Sequence, residues 1–239
     1  MDYEEFSKAI SRDRELEMSA AFPVLMRKVY VWMALALVIT GFTAYYVANN
    51  ETLLTAIVTN QMLFWGLVLA ELGLVIGLSA AINKMSLTVA TLMFVVYSVI
   101  NGVTMSFIFL LYTYSSITNV FLITAGTFAA MALFGYFTKA DLSSLGKILM
   151  MALVGIIIAT IVNIFTKSTG LAMILNYLGV LVFVGLTAYD SQKIKMMLLQ
   201  APNAGEAAQK LALLGALSLY LDFINLFLYL LRILGARRD

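Results

Sequence analysis

The apolar positions of this chain run in seven long blocks, at about 29–48, 61–82, 87–112, 118–137, 147–166, 171–197 and 209–233. Each block is about 20 residues or longer, enough for an α-helix to cross a hydrocarbon core of ~30 Å. The breaks are short and polar, as at Asn49-Asn50-Glu51-Thr52, Asn83-Lys84-Met85-Ser86, the stretch 139–144 and Ala201-Pro202-Asn203-Ala204-Gly205. No shift in composition marks a second domain. The pattern predicts an all-α integral membrane protein, a bundle of seven transmembrane helices. A polar N-terminal segment (1–28) precedes the transmembrane domain (29–233), and a short tail (234–239) follows it. The first twenty residues lack the basic-then-apolar order of a signal peptide and are expected to be retained and partly disordered.

Composition agrees with the pattern. The chain is 62% hydrophobic and 12% charged, against about a quarter charged in soluble domains. With no cysteine and no histidine, disulfides, thiolate chemistry, Cys/His zinc sites and Ser-His or Cys-His triads are excluded. The net charge of +2 comes without a basic block, so no nucleic-acid partner is expected. The lipid bilayer is the first partner implied, and no cofactor is.

Lysine and arginine set the expected orientation. With the N-terminus cytoplasmic, the inner segments hold Lys8, Arg12, Arg14, Arg27, Lys28, Lys84, Lys139, Lys147, Lys193, Lys195 and Lys210. The outer side then holds Lys167, Arg232, Arg237 and Arg238. Seven spans place the C-terminus outside, which its arginines fit poorly: either the last helix stops short or the earlier charges dominate.

Three acids fall inside the blocks: Glu71, Asp190 and Asp222. A charge at the bilayer centre costs several kcal/mol, so such residues usually face the bundle and have a partner. On a helical wheel, Gly215, Ser218, Asn225 and Tyr229 fall within about 60° of Asp222, and Arg232 within about 80°. The remaining positions of the last block are mostly Leu, Ile and Phe. This stripe reads either as a packing face whose polar groups bond to neighbouring helices or as a functional one. For Asp222 the functional reading is favoured, because a carboxyl is a costly way to obtain one hydrogen bond. Asp190 reads either as its counterpart on the sixth helix or as a cytoplasmic cap ahead of Ser191-Gln192-Lys193.

The sixth and seventh helices are antiparallel about a turn near 201–205, which sets Asp190 and Asp222 within about two helical turns of one depth. Carboxylates brought close in a low dielectric repel, so one is pushed toward protonation and the pair can share a proton. Deprotonated, such a pair is a hard oxygen site suited to Ca²⁺. Glu71 lies about ten residues into the second helix from its outer end and Arg232 at the outer end of the seventh; the two are within reach of each other, and an ion pair orienting the two helices is expected.

These residues in their context resemble the Bax inhibitor-1 family. The stretches that carry the resemblance are RKVYVWMALALVITG (27–41), ELGLV (71–75), GLTAYDSQKI (185–194) and LYLDFINLF (219–227) with Leu231-Arg232. The resemblance implies a seven-helix bundle with the seventh helix central, and a pH-sensitive calcium leak in which Asp190 and Asp222 are the sensor. It also implies partner roles for Glu71 and Arg232, with Ca²⁺ and protons as the ions handled. Some bacterial members carry a basic latch about eleven residues after the glutamate; that position here is Ile82, and Lys84 is the candidate substitute. The short N-terminus and the lack of targeting signals point to a bacterial inner (plasma) membrane.

Rival readings are an intramembrane aspartyl protease, a proton-coupled solute carrier and a non-transporting regulatory membrane protein. Tyr189-Asp190 suits the protease, but its Gly-x-Gly-Asp is Leu219-Tyr220-Leu221-Asp222 here, and a Pro-Ala-Leu element is absent. An enzyme is not expected. The carrier would be favoured by paired Gly/Pro-broken helices; the glycines here are scattered. A retinal protein needs a mid-helix lysine, and the last block has Lys210 only at its start.

Overall fold

A computed structural model describes the backbone of residues 3–201 and 204–238, and the side chains from Ser19 onward. Its elements are α1 (Tyr3–Ala48), α2 (Glu51–Thr59), α3 (Gln61–Ala81), α4 (Leu87–Met105), α5 (Ile108–Leu111), α6 (Tyr114–Phe137), α7 (Ser143–Thr166), α8 (Thr169–Leu199) and α9 (Glu206–Leu234). Among the described residues, seven helical stretches are long and apolar enough to cross a membrane: Ser19–Ala48, Gln61–Ala81, Leu87–Leu111, Tyr114–Phe137, Ser143–Thr166, Thr169–Leu199 and Glu206–Leu234. The protein is an all-α integral membrane protein, as the hydropathy pattern predicts.

Four details differ from that pattern. The N-terminal segment, expected to be partly disordered, is helical from Tyr3 and continues into the first span. Glutamate, lysine, arginine, alanine and methionine dominate it, and all are good helix formers. The break at 49–52 is followed by the short helix α2, whose first turn is capped by Asn50 Oδ1 accepting the Leu53 N–H at 3.0 Å; polar residues read as a break are here a helix start. The third block is interrupted at Ser106-Phe107, between α4 and α5. Several helices also begin a few residues early; α6, for example, starts at Tyr114 because Thr113 caps it by accepting the Ser116 N–H. Within the expected turn at 201–205, Pro202 and Asn203 lie outside the described residues.

The chain divides into two compact units. The first comprises Met1–Thr43, Thr55–Thr104 and Lys193–Leu217. In it α1 and α4 approach closely. Thr40 Oγ1 donates to the buried Ser98 carbonyl at 2.9 Å. A Cβ added at Gly102 would stand 2.6 Å from the Thr40 carbonyl oxygen, so only glycine admits this approach. Lys28 Nζ donates to Gln209 Oε1 at 3.2 Å, tying α1 to α9. Glu206 accepts the Leu87 N–H at the start of α4 (3.0 Å) and pairs with Lys210 one turn along (3.0 Å).

The second unit comprises Ala44–Leu54, Met105–Gln192 and Ser218–Asp239. Here α8 is held by three helices. Against α6, the Gly135 backbone lies on the Ala188 carbonyl with no room for a Cβ, and Ser191 Oγ donates to the Ala132 carbonyl at 2.7 Å. Against α7, the Tyr189 ring covers Gly146, and Leu149 covers Gly185. Against α9, the Tyr229 ring covers Gly179. The opposite side of α9 meets α6 through aromatic edges, Phe121–Phe223 and Phe128–Phe223 each at 5.4 Å between centroids.

The tail is part of this unit. Tyr112 and Arg237 form an isolated antiparallel bridge, with Thr113 N–H donating to the Ala236 carbonyl (3.2 Å) and Arg238 N–H to the Leu111 carbonyl (3.0 Å). The Ala236 N–H also donates to Ser116 Oγ at 2.8 Å. The tail therefore lies on the same side as the α5–α6 turn. α9 runs uninterrupted for 29 residues toward that side.

Candidate functional site

The last helix is the one most enclosed by protein. In its most apolar stretch 67% of the residues are buried, against 6% to 39% in the other six spans. Asp222 lies within it, 5% exposed, and its Oδ2 is sealed from solvent. Its neighbours Leu219, Tyr220, Phe223 and Leu226 are buried too.

The level of Asp190 follows from the aromatic contact between α8 and α9. The rings of Phe183 and Tyr229 stack with centroids 5.8 Å apart and planes at 28°. Both helices are unbroken here and run antiparallel. Seven residues on from Phe183 is Asp190, and seven residues back from Tyr229 is Asp222. Seven residues advance a helix about 10.5 Å and turn it back to within about 20° of the same face. The two acids thus arrive at one level, on the faces the helices turn toward each other. Asp190 is half-buried, and the residues flanking it are clamped: Tyr189 over Gly146 of α7, Ser191 onto Ala132 of α6. A cytoplasmic cap in solvated chain does not describe this environment.

The rest of the expected stripe divides. Tyr229 joins the contact with α8, and the Arg232 guanidinium carbon lies 5.3 Å from the Tyr229 ring centroid. Asn225 Nδ2 donates to the Leu221 carbonyl of its own helix at 2.8 Å. Ser218 is half-buried. Among the described residues, no three acidic, histidine or cysteine side chains converge on one point. A Ca²⁺ ion between Asp190 and Asp222 would therefore complete its six to eight oxygens from water and backbone carbonyls.

Glu71 belongs to the first unit, Arg232 to the second, and each has partners in its own. The half-buried Glu71 accepts from Thr104 Oγ1 at 2.7 Å and from Asn101 Nδ2 at 3.5 Å. The Thr104 hydroxyl also lies 2.9 Å from the Asn101 carbonyl oxygen. It has one proton to give, and the shorter, charge-assisted bond to the carboxylate is the stronger use of it. Tyr97, Asn101 and Thr104 stand at i, i+4 and i+7 on one face of α4, and Tyr97 and Asn101 are buried. These partners of Glu71 were missed in the sequence, although two polar residues one turn apart in an apolar helix are a readable signal. Lys84, the candidate latch, is exposed in the turn after α3.

The family model for "Inhibitor of apoptosis-promoting Bax1" matches residues 23–239, which includes all of these positions. The chain belongs to the Bax inhibitor-1 family. Its relatives include the "Inner membrane protein YbhL" of Escherichia coli K12, 48% identical over 227 residues, covering 95% of this chain and 97% of the relative. A Borreliella burgdorferi protein is 46% identical over 214 residues (90% and 92%), and a Deinococcus radiodurans protein is 37% identical over 231 residues (97% and 96%). The similarity to these bacterial proteins extends over nearly the whole length of the chain.

Proposed function

We propose that this protein is a pH-sensitive calcium-leak channel of the bacterial inner membrane, N-terminus cytoplasmic, gated by the Asp190–Asp222 pair. The observation that carries this reading is the common level of the two acids on facing sides of α8 and α9, with Asp222 buried in the most enclosed helix. When the pair shares a proton it bridges the two helices and holds the path shut. When both carboxylates ionise, repulsion favours opening and the site attracts Ca²⁺. Closure then favours acid, and opening favours higher pH. Other ionisable groups on the elements packed around the pair include Tyr189, Lys193 and Lys195 on α8, Tyr136 on α6, Lys147 on α7, and Tyr220, Tyr229 and Arg232 on α9. Glu71 and Arg232 orient their helices and support the outer path; Lys84 is the candidate latch.

The test is Ca²⁺ flux into liposomes holding the purified protein at pH 6, 7 and 8. Flux should rise with pH, and Asp190→Asn and Asp222→Asn should each remove that dependence. Flux that falls as pH rises would contradict the gate as written. No flux at any pH from folded protein would favour a non-transporting regulatory role.

A further inference from the structure

The contact that sets the level of the acid pair also closes one approach to it. The Tyr229 ring lies flat over the bare backbone of Gly179, where a Cβ would stand 2.5 Å from ring carbon Cε1. Its other neighbour is the buried Phe183, stacked beside it. The exposed Arg232 guanidinium sits on the ring one turn further along α9. The order along this seam is therefore Arg232, then Tyr229 seated between Gly179 and Phe183, then Asp190 and Asp222 about two turns deeper. A ring flush against glycine backbone leaves no gap for a water molecule, and an apolar constriction of this kind shuts a path by excluding water. A guanidinium held over the ring face by its attraction to the π system adds positive charge at the same mouth, which disfavours an arriving cation.

We propose that Tyr229 is the stopper of the α8–α9 seam: seated on Gly179 and Phe183 and capped by Arg232, it closes the acid pair to water and cations from the Arg232 end. Its consequence for ion flux rests on the channel reading above; the closure itself does not.

The chain has no cysteine, so Asn225→Cys, between Asp222 and Tyr229 on α9, supplies the sole thiol. A charged, membrane-impermeant methanethiosulfonate is applied to the Arg232 side of oriented vesicles and the labelling rate is measured. Labelling should be slow with Tyr229 in place and equally slow with Tyr229→Phe, which keeps the ring. It should be at least tenfold faster with Tyr229→Ala. Gly179→Ala should accelerate it as well, because the new methyl displaces the ring while leaving the tyrosine in the chain. Tyr229→Leu replaces the alanine variant if that variant does not fold. Unchanged labelling in folded Tyr229→Ala (or Tyr229→Leu) and Gly179→Ala would overturn the inference. So would labelling at the rate of a free thiol while Tyr229 is in place. Faster labelling without Ca²⁺ flux at any pH would leave the stopper standing and refute the channel reading. Ca²⁺ flux with unchanged labelling would do the reverse.

Discussion

Glu71 and Asp222 show two ways of keeping a carboxyl group at membrane depth. Glu71 is carried by α3, whose most apolar stretch is only 6% buried, and it is satisfied by a hydroxyl and an amide presented on one face of α4. Asp222 is carried by the most enclosed helix and is surrounded by buried leucine, tyrosine and phenylalanine, with Asp190 at its level on α8. The first acid is met by hydrogen-bond donors from a neighbouring helix. The second is placed where charge is expensive and a second acid is near. A carboxyl meant only to join helices needs the first arrangement; one meant to change state needs the second. In the channel reading proposed above, Glu71 takes the structural part and Asp222 the switching part.

The largest expected effect separates the two acids. Asp222→Asn should abolish the pH dependence of Ca²⁺ flux, whereas Glu71→Gln should weaken the fold and keep that dependence; liposome flux at pH 6 and 8 reads both. Loss of the dependence in Glu71→Gln alone would reverse the assignment. Next is Thr104→Val, which removes the short bond to Glu71 and should cost about 1.5–3 kcal/mol, the range for hydrogen bonds to charged groups. Denaturant titration of the detergent-solubilised protein measures it, and Thr104→Ser should restore most of the loss. Ser191→Ala should cost less, about 0.5–1.5 kcal/mol, because a neutral bond to the Ala132 carbonyl is lost. Since that bond steadies α8 beside Asp190, this variant should also shift the pH at which flux turns on.

A third carboxyl, Asp141, supplies the smallest effect and a reference for both. It is exposed in the turn before α7, and hydrogen bonds from Ser143, including its N–H at 2.8 Å, hold its carboxyl below the usual range. A group depressed in the folded state contributes stability above its ordinary value and loses it as pH falls through its folded one. Asp141→Asn should therefore flatten the acid limb of a stability–pH curve slightly, with no change in the pH response of flux.

The seven spans were legible because a chain in hydrocarbon must satisfy its own backbone, and helices of about 20 apolar residues are the way to do so. The stripe through Asp222 and Tyr229 was legible as well, since polar residues stand out on an apolar wheel. Other features were hidden. Asn50, read as part of a break, turned out to be a cap, because the same residue types serve both ends of that distinction. The partners of Glu71 lie about thirty residues away on another helix, and spacing alone cannot choose between Thr104 and the more distant Arg232. The ring that covers Gly179 came into view only with the fold.

By itself, then, the sequence determined the class of protein, the number of crossings, the family and the identity of the acids at membrane depth. The tertiary structure decided which face of each helix turns inward and what each acid meets there. The reason is physical. Lipid tails are as apolar as leucine, so hydrophobicity carries no signal that distinguishes a lipid-facing side from a protein-facing one. Inward faces are chosen by close packing and a few polar contacts, such as Gly135 on Ala188, Ser191 on Ala132 and Tyr229 on Gly179. Those exist only once the helices are assembled.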